Sequence, residues 1–229
     1  PRLMAQLYAK FKAEQEAEAR RAAEAAAGAA AAAEQVEPTG PRRVCFLSHY
    51  KDEAAMEARF IKDQLEGLLK EKGVQPDDIF LDSDNLHDLG ELLNEVRRSD
   101  NLLLFLTRGV LTRPWVLLEL HTALQQGINI IPLNIYSKQR AFDFDDAAKM
   151  KTDFSNGPGV TQDCIKELEA KGVGVARVQE VVAHVVTLIA KDLHISGSKR
   201  VLESELLDII DRMVFPEASS AAAAGGASV

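Results

Sequence analysis

The run Asn101-Leu-Leu-Leu-Phe-Leu-Thr107 is apolar through its whole interior. A strand with one wet face alternates apolar and polar residues, so an unbroken run belongs to a strand covered on both sides, as in a parallel sheet with crossover helices. The surrounding chain supplies those partners. Between Arg42 and Phe215, short apolar runs alternate with amphipathic segments, the βαβ pattern of an α/β domain. Strands are expected at 43–48, 79–82, 101–107 and 129–134, with a weak fifth at 189–195. Helices are expected at about 53–72, 89–98 and 113–126, and further helices at about 145–154, 161–171, 178–189 and 199–214. Pro132 has no N–H for a ladder, which places the fourth strand near an edge or interrupts it there. Right-handed crossovers then give an open three-layer sheet.

Ligands of such sheets bind outside the carboxyl ends of the strands. Here those ends carry Ser48-His49-Tyr50-Lys51, Asp82-Ser-Asp-Asn85 and Thr107-Arg108-Gly109. The helix after the third strand begins with Pro114, whose missing N–H costs nothing in a first turn, and stops at Gly127. At 100° per residue Val116, Leu117, Leu120, Ala123 and Leu124 form one core-facing stripe. Glu119 falls at its margin, one turn from Trp115, where a carboxylate either reaches solvent or lines a cleft.

Of the 229 residues 46% are hydrophobic, enough for one sizeable core, and the net charge is −8. That balance, without clustered Lys and Arg, argues against a nucleic-acid surface. Cys45 and Cys164 are isolated and form neither a disulfide framework nor a metal spacing, and no metal is expected; a reducing, cytoplasmic setting fits. The apolar runs are too short to span a bilayer and no leader is read, so no membrane contact is expected from this segment. The start at Pro1 suggests a piece of a longer protein. Residues 1–36 read as an arm, with Leu3, Met4, Leu7, Tyr8 and Phe11 on one amphipathic face followed by an Ala-rich helix. A linker occupies 37–42, the domain 43–215, and a low-complexity Ala, Gly and Ser tail 216–229.

Taken together, Val44-Cys-Phe-Leu-Ser-His49, Phe80-Leu-Asp-Ser-Asp-Asn-Leu-His-Asp-Leu89, Ser99-Asp-Asn-Leu-Leu-Leu-Phe-Leu-Thr107 and Pro114-Trp-Val-Leu-Leu-Glu-Leu120 with Gly127-Ile-Asn-Ile-Ile-Pro132 resemble the TIR domains. The resemblance is strong over about 42–135 and looser beyond. It implies a flavodoxin-like three-layer sandwich with a five-stranded, mostly parallel sheet, here with an N-terminal Ala-rich helix and extra C-terminal helices. It also implies one of two functions. NAD-cleaving members carry a glutamate four residues after a tryptophan in the third helix, which Trp115 and Glu119 match, making Glu119 the catalytic candidate. Other members only assemble, with other TIR domains or subunits of a larger complex, through the loop after the second strand, here Asp82 to Leu89.

NAD would be a substrate, with no bound cofactor. Cleaving its nicotinamide–ribose bond needs a carboxylate near the ribose as oxocarbenium-like charge develops, not a strong base. Ser48, His49, Tyr50, Lys51, Asp82 and Trp115 are the ligand-binding candidates, although His49 and Tyr50 also read as ordinary loop residues. Asp82, Asp84 and Asp88 read as turn and capping residues of an interaction loop rather than a cation site. The histidines His87, His121, His184 and His194 share no ligand spacing. Two departures separate the chain from its analogues. After the first-strand serine it has His49-Tyr-Lys-Asp-Glu53 without the glycine of many catalytic members. A phosphoacceptor receiver, which shares the outline, needs acidic residues where this chain has Ser48-His49 and Thr107-Arg108.

Overall fold

A computed structural model describes residues 37–70, 73–75, 78–81, 88–135 and 140–215. The arm, the tail, Asp82 and most of the acidic loop lie outside these residues. Five strands, β1 (Arg43–Ser48), β2 (Ile79–Leu81), β3 (Ser99–Leu106), β4 (Asn129–Ile135) and β5 (Lys191–Leu193), form one sheet in the order β2-β1-β3-β4-β5. Every pairing is parallel. This is the flavodoxin-like arrangement, with the chain reversing direction across the sheet between β1 and β3. Seven helices follow in chain order among the described residues: α1 (Lys51–Leu69), α2 (Leu89–Arg97), α3 (Pro114–Gln125), α4 (Phe144–Met150), α5 (Gln162–Ala170), α6 (Val175–Thr187) and α7 (Lys199–Ile210). A 3-10 turn, Val110–Thr112, precedes α3. Among the described residues no helix is long and apolar enough to cross a membrane.

The unbroken apolar strand serves two cores. Leu102, Leu104 and Leu106 join Phe46 under α2, α3, α5 and α6. Leu103 and Phe105 join Cys45, Leu47 and Leu133 under α1 and α7. Successive strand residues point to opposite faces, so each layer takes every second side chain. Each fully buried Leu or Phe contributes roughly 1.5–3 kcal/mol.

The element ends moved where local chemistry could not be seen in periodicity. β3 begins at Ser99, two residues before the expected start, because Arg43 pairs with Ser99 and the Arg43 N–H donates to the Arg98 carbonyl at 2.8 Å. β5 pairs with β4 only from Leu133 onward, so β4 is an edge strand up to Pro132, the residue without an N–H. α1 starts earlier than expected, at Lys51, with extended Tyr50 before it. α4 closes at Met150, short of the expected 154, and Phe154 is buried beyond it. The last helix stops at Ile210 rather than 214 because Val214 is captured by Asn101, whose side chain accepts from the Val214 N–H at 2.8 Å and donates to its carbonyl at 2.7 Å. The linker is also pinned: the Thr39 N–H donates to Asn94 Oδ1 and Arg98 donates to the Pro41 carbonyl.

Candidate functional site

Glu119 is buried, 3% exposed, and accepts a hydrogen bond at 2.5 Å from the hydroxyl of Ser48, itself 1% exposed. The bond joins the carboxyl end of β1 to the second turn of α3. A single stripe would have left Glu119 at a margin. Instead α3 buries Val116 through Leu120 as well as Thr122 and Ala123, because it lies between the sheet and the neighbouring helices α2, α5 and α6. Both ends of the helix are set locally. Pro114 occupies the first turn, and Gly127, at φ 65°, lets its N–H reach the Leu124 carbonyl while the Ile128 N–H reaches that of Ala123. Those two bonds are a Schellman stop.

Strand alternation separates residues that are adjacent in sequence. Ser48 follows Phe46 onto the α3 face, whereas His49 lies toward the other core, 7% exposed with its ring edge-on to Phe105 at 6.3 Å. Thr107, also buried, follows Phe105, and its hydroxyl has no hydrogen-bond partner among the described residues. Tyr50 sits half-buried at the rim. Its hydroxyl donates to Asp52 at 2.8 Å and its ring lies 4.3 Å beneath the Arg113 guanidinium. That hydrogen bond, with lesser help from burial, raises the Tyr50 pKa, and Arg113 pulls it partly back. Lys51 is the first residue of α1.

Trp115 turns away from the Ser48–Glu119 bond. Its indole N–H donates to Glu167 at 2.9 Å, and the ring lines a groove of about 640 Å³ along α2, α3 and α5 that does not include Glu119, Ser48, His49 or Tyr50. Trp115, a ligand-binding candidate by sequence, therefore does not share a cleft with Glu119 in this structure. At 100° per residue the two side chains differ by about 40°, enough for one to face a groove and the other a strand end.

A second cavity, of about 290 Å³, lies on the rim itself and is lined by Arg108, Gly109, Thr112 and Arg113 opposite Asp143 and Asp146. Its volume is at the bottom of the range for small-molecule sites. Glu53 fastens its wall by accepting from the Gly109 N–H at 2.9 Å, and the Arg140 side chain donates to the Glu53 carbonyl. A side chain at Gly109 would come within 3.2 Å of both Glu53 and Tyr50, so the close approach there favours glycine. Sequence reasoning passed over Glu53, Arg113, Arg140 and Glu167. Their partners are 52 or more positions away, or stack without a motif, and only Arg113, directly before Pro114, had a local signal. Among the described residues no group of three or more His, Cys, Asp or Glu side chains could hold a metal ion.

Among solved structures, the chain is similar to the TIR domains of the activated Roq1 resistosome, which directly recognises the pathogen effector XopQ. Identity is 18% and the TM-score 0.47, over 73% of this chain and 99% of that one. No protein-family model matches the chain, and no curated protein does.

Proposed function

We propose that the chain is a TIR-like module that works by assembly, joining other TIR-like copies or subunits of a larger complex. The observation that carries this reading is the state of Glu119: its carboxylate is 3% exposed, tied to Ser48, and apart from the groove that Trp115 lines. In that state the glutamate braces α3 against the end of β1 instead of meeting a ligand. In sequence, Asp82, Asp84 and Asp88 supply negative charge that suits association.

One observation favours a second reading, NAD hydrolysis. The Ser48–Glu119 bond lies at the carboxyl rim of the sheet, where ligands of this fold bind, and Glu119 keeps the interval from Trp115. If assembly opens that bond, the carboxylate faces the ribose. Heterolysis then sends the bonding electron pair to the nicotinamide nitrogen, Glu119 stabilises the cationic sugar, and water adds its oxygen to the ribose carbon and releases a proton. Ser48 would release Glu119, His49, Tyr50, Lys51 and Asp82 would border the substrate, and Trp115 would have to turn toward it.

Light scattering over a concentration series tests the assembly reading. Mass that grows with concentration, and grows less in Asp84→Lys, supports it; a fixed monomer throughout overturns it. Nicotinamide release from NAD by the assembled samples tests the second. Glu119→Gln, which preserves volume in a buried site, should lower release about a hundredfold. Equal release by wild type and variant, or none from assembled wild type, ends that reading.

A further inference from the structure

The groove along α2, α3 and α5 has a composition that bracing the fold does not require. Leu89 and Trp115 stand near the N-terminal ends of α2 and α3, Arg97 and Gln125 at their C-terminal ends, and Lys171 directly after α5. At 1.5 Å per residue the groove therefore runs about 12 Å along the helices. Between these ends Leu93, Leu118 and Val173 supply apolar walls, and His121 and Thr122 add polar groups on α3. Two of its charges are carboxylates with donors of their own: Asp88 accepts from the Gly90 and Glu91 N–H groups at the start of α2, and Glu167 accepts from the Trp115 indole.

The cations are different. The Nε of Arg97 is buried with no hydrogen-bond partner, and among the described residues the guanidinium has no ion pair. Burial lowers its pKa, the sign of a charge taken partly out of water without compensation. Lys171 is exposed on the same groove and likewise has no ion pair among the described residues. A partly desolvated guanidinium with no ion pair among the described residues costs stability, and an anion that reaches it forms a charge-assisted bond without first breaking another.

We propose that this groove is a binding site for an amphiphilic organic anion, a carboxylate, sulfonate or phosphate on an apolar ring or chain. The anionic head meets Arg97 and Lys171, and the apolar body lies along Leu93, Leu118 and the face of Trp115. The volume of about 640 Å³ suits a ligand of ordinary small-molecule size. The site is separate from the Ser48–Glu119 pair and compatible with the assembly reading, whereas the NAD reading would draw Trp115 out of it.

Trp115 is the chain's one tryptophan, so energy transfer has a single donor, and that donor lines this groove. The probe is 8-anilinonaphthalene-1-sulfonate, titrated into the full chain, with energy transfer from Trp115 as the readout. Saturable transfer that weakens with added salt is expected. Arg97→Gln should weaken binding about tenfold, the value of one lost charge-assisted contact. Lys171→Gln should weaken it less, and Lys199→Gln, on α7 across the sheet, should leave it unchanged. N-phenyl-1-naphthylamine, with the same rings and no sulfonate, should bind at least tenfold more weakly. Equal binding of the two probes, or of wild type and Arg97→Gln, overturns the proposal, as does transfer that never saturates. Should Arg97→Gln fail to fold by circular dichroism, Lys171→Glu takes its place, and wild-type affinity in that variant overturns the proposal equally.

Discussion

At the scale of single residues, the environment of a side chain was decided by which face of the sheet it joined. Ser48 and His49 are neighbours in sequence, yet one meets Glu119 and the other packs on Phe105. Tyr50, next along, turns to the rim, and its titration is the most direct check on that geometry. Its hydroxyl bond to Asp52 holds the phenol above the ordinary tyrosine value of about 10. A pKa raised by folding means that the stabilisation is fully present below the unfolded value and is lost as pH rises through the higher folded value. Ultraviolet titration, with Tyr50→Phe subtracted, should show a phenolate midpoint above the ordinary one. Asp52→Ala should bring it down, and an unmoved midpoint would mean that the hydroxyl does not bond Asp52 in solution.

At the scale of elements, α3 shows how far periodicity reaches. Its ends, Pro114 and the stop at Gly127, follow from backbone chemistry and were legible in the sequence. The burial of Leu118, Glu119 and Thr122 was not, because it comes from helices packed on the sides that a single stripe leaves open. Gly127 holds φ 65°, a left-handed conformation that strains a side chain bearing Cβ. Gly127→Ala should therefore destabilise the protein by about 1 kcal/mol in a denaturant melt while leaving the slope of the transition unchanged. Gly67, within α1, has nothing within 4 Å of an added Cβ and serves as the opposite control. Gly67→Ala should stabilise by roughly 0.5–1 kcal/mol through helix propensity. A Gly127→Ala variant as stable as wild type would remove the left-handed stop.

At the scale of the whole molecule, Asn101 ties chain segments that sequence distance keeps far apart. Fully buried in β3, it donates to the carbonyls of Val44 and Val214 and accepts from the Val214 N–H and from Asn129. It thereby clamps β1, β4 and the segment after α7 at the amino end of the sheet, opposite the rim that carries Glu119. Asn101→Ala strands several buried backbone groups at once and should cost about 2–4 kcal/mol. Because the clamp and the rim lie at opposite ends of β3, the Ser48–Glu119 pair should keep its geometry in the folded fraction. A loss under 1 kcal/mol would show that water replaces the amide.

By itself the sequence determined the layer plan. An unbroken apolar strand, alternating strand and helix signals and short crossovers leave few alternatives to a three-layer parallel sheet, because burying backbone and apolar side chains together permits little else. It also placed Glu119 and Ser48 near one rim. Only the tertiary structure decided that these two meet, that His49 and Trp115 lie apart from them, and that Arg97 has no ion pair among the described residues. Those outcomes depend on which surfaces cover each side chain. Coverage is supplied by residues tens of positions away, through contacts that leave no local periodic mark.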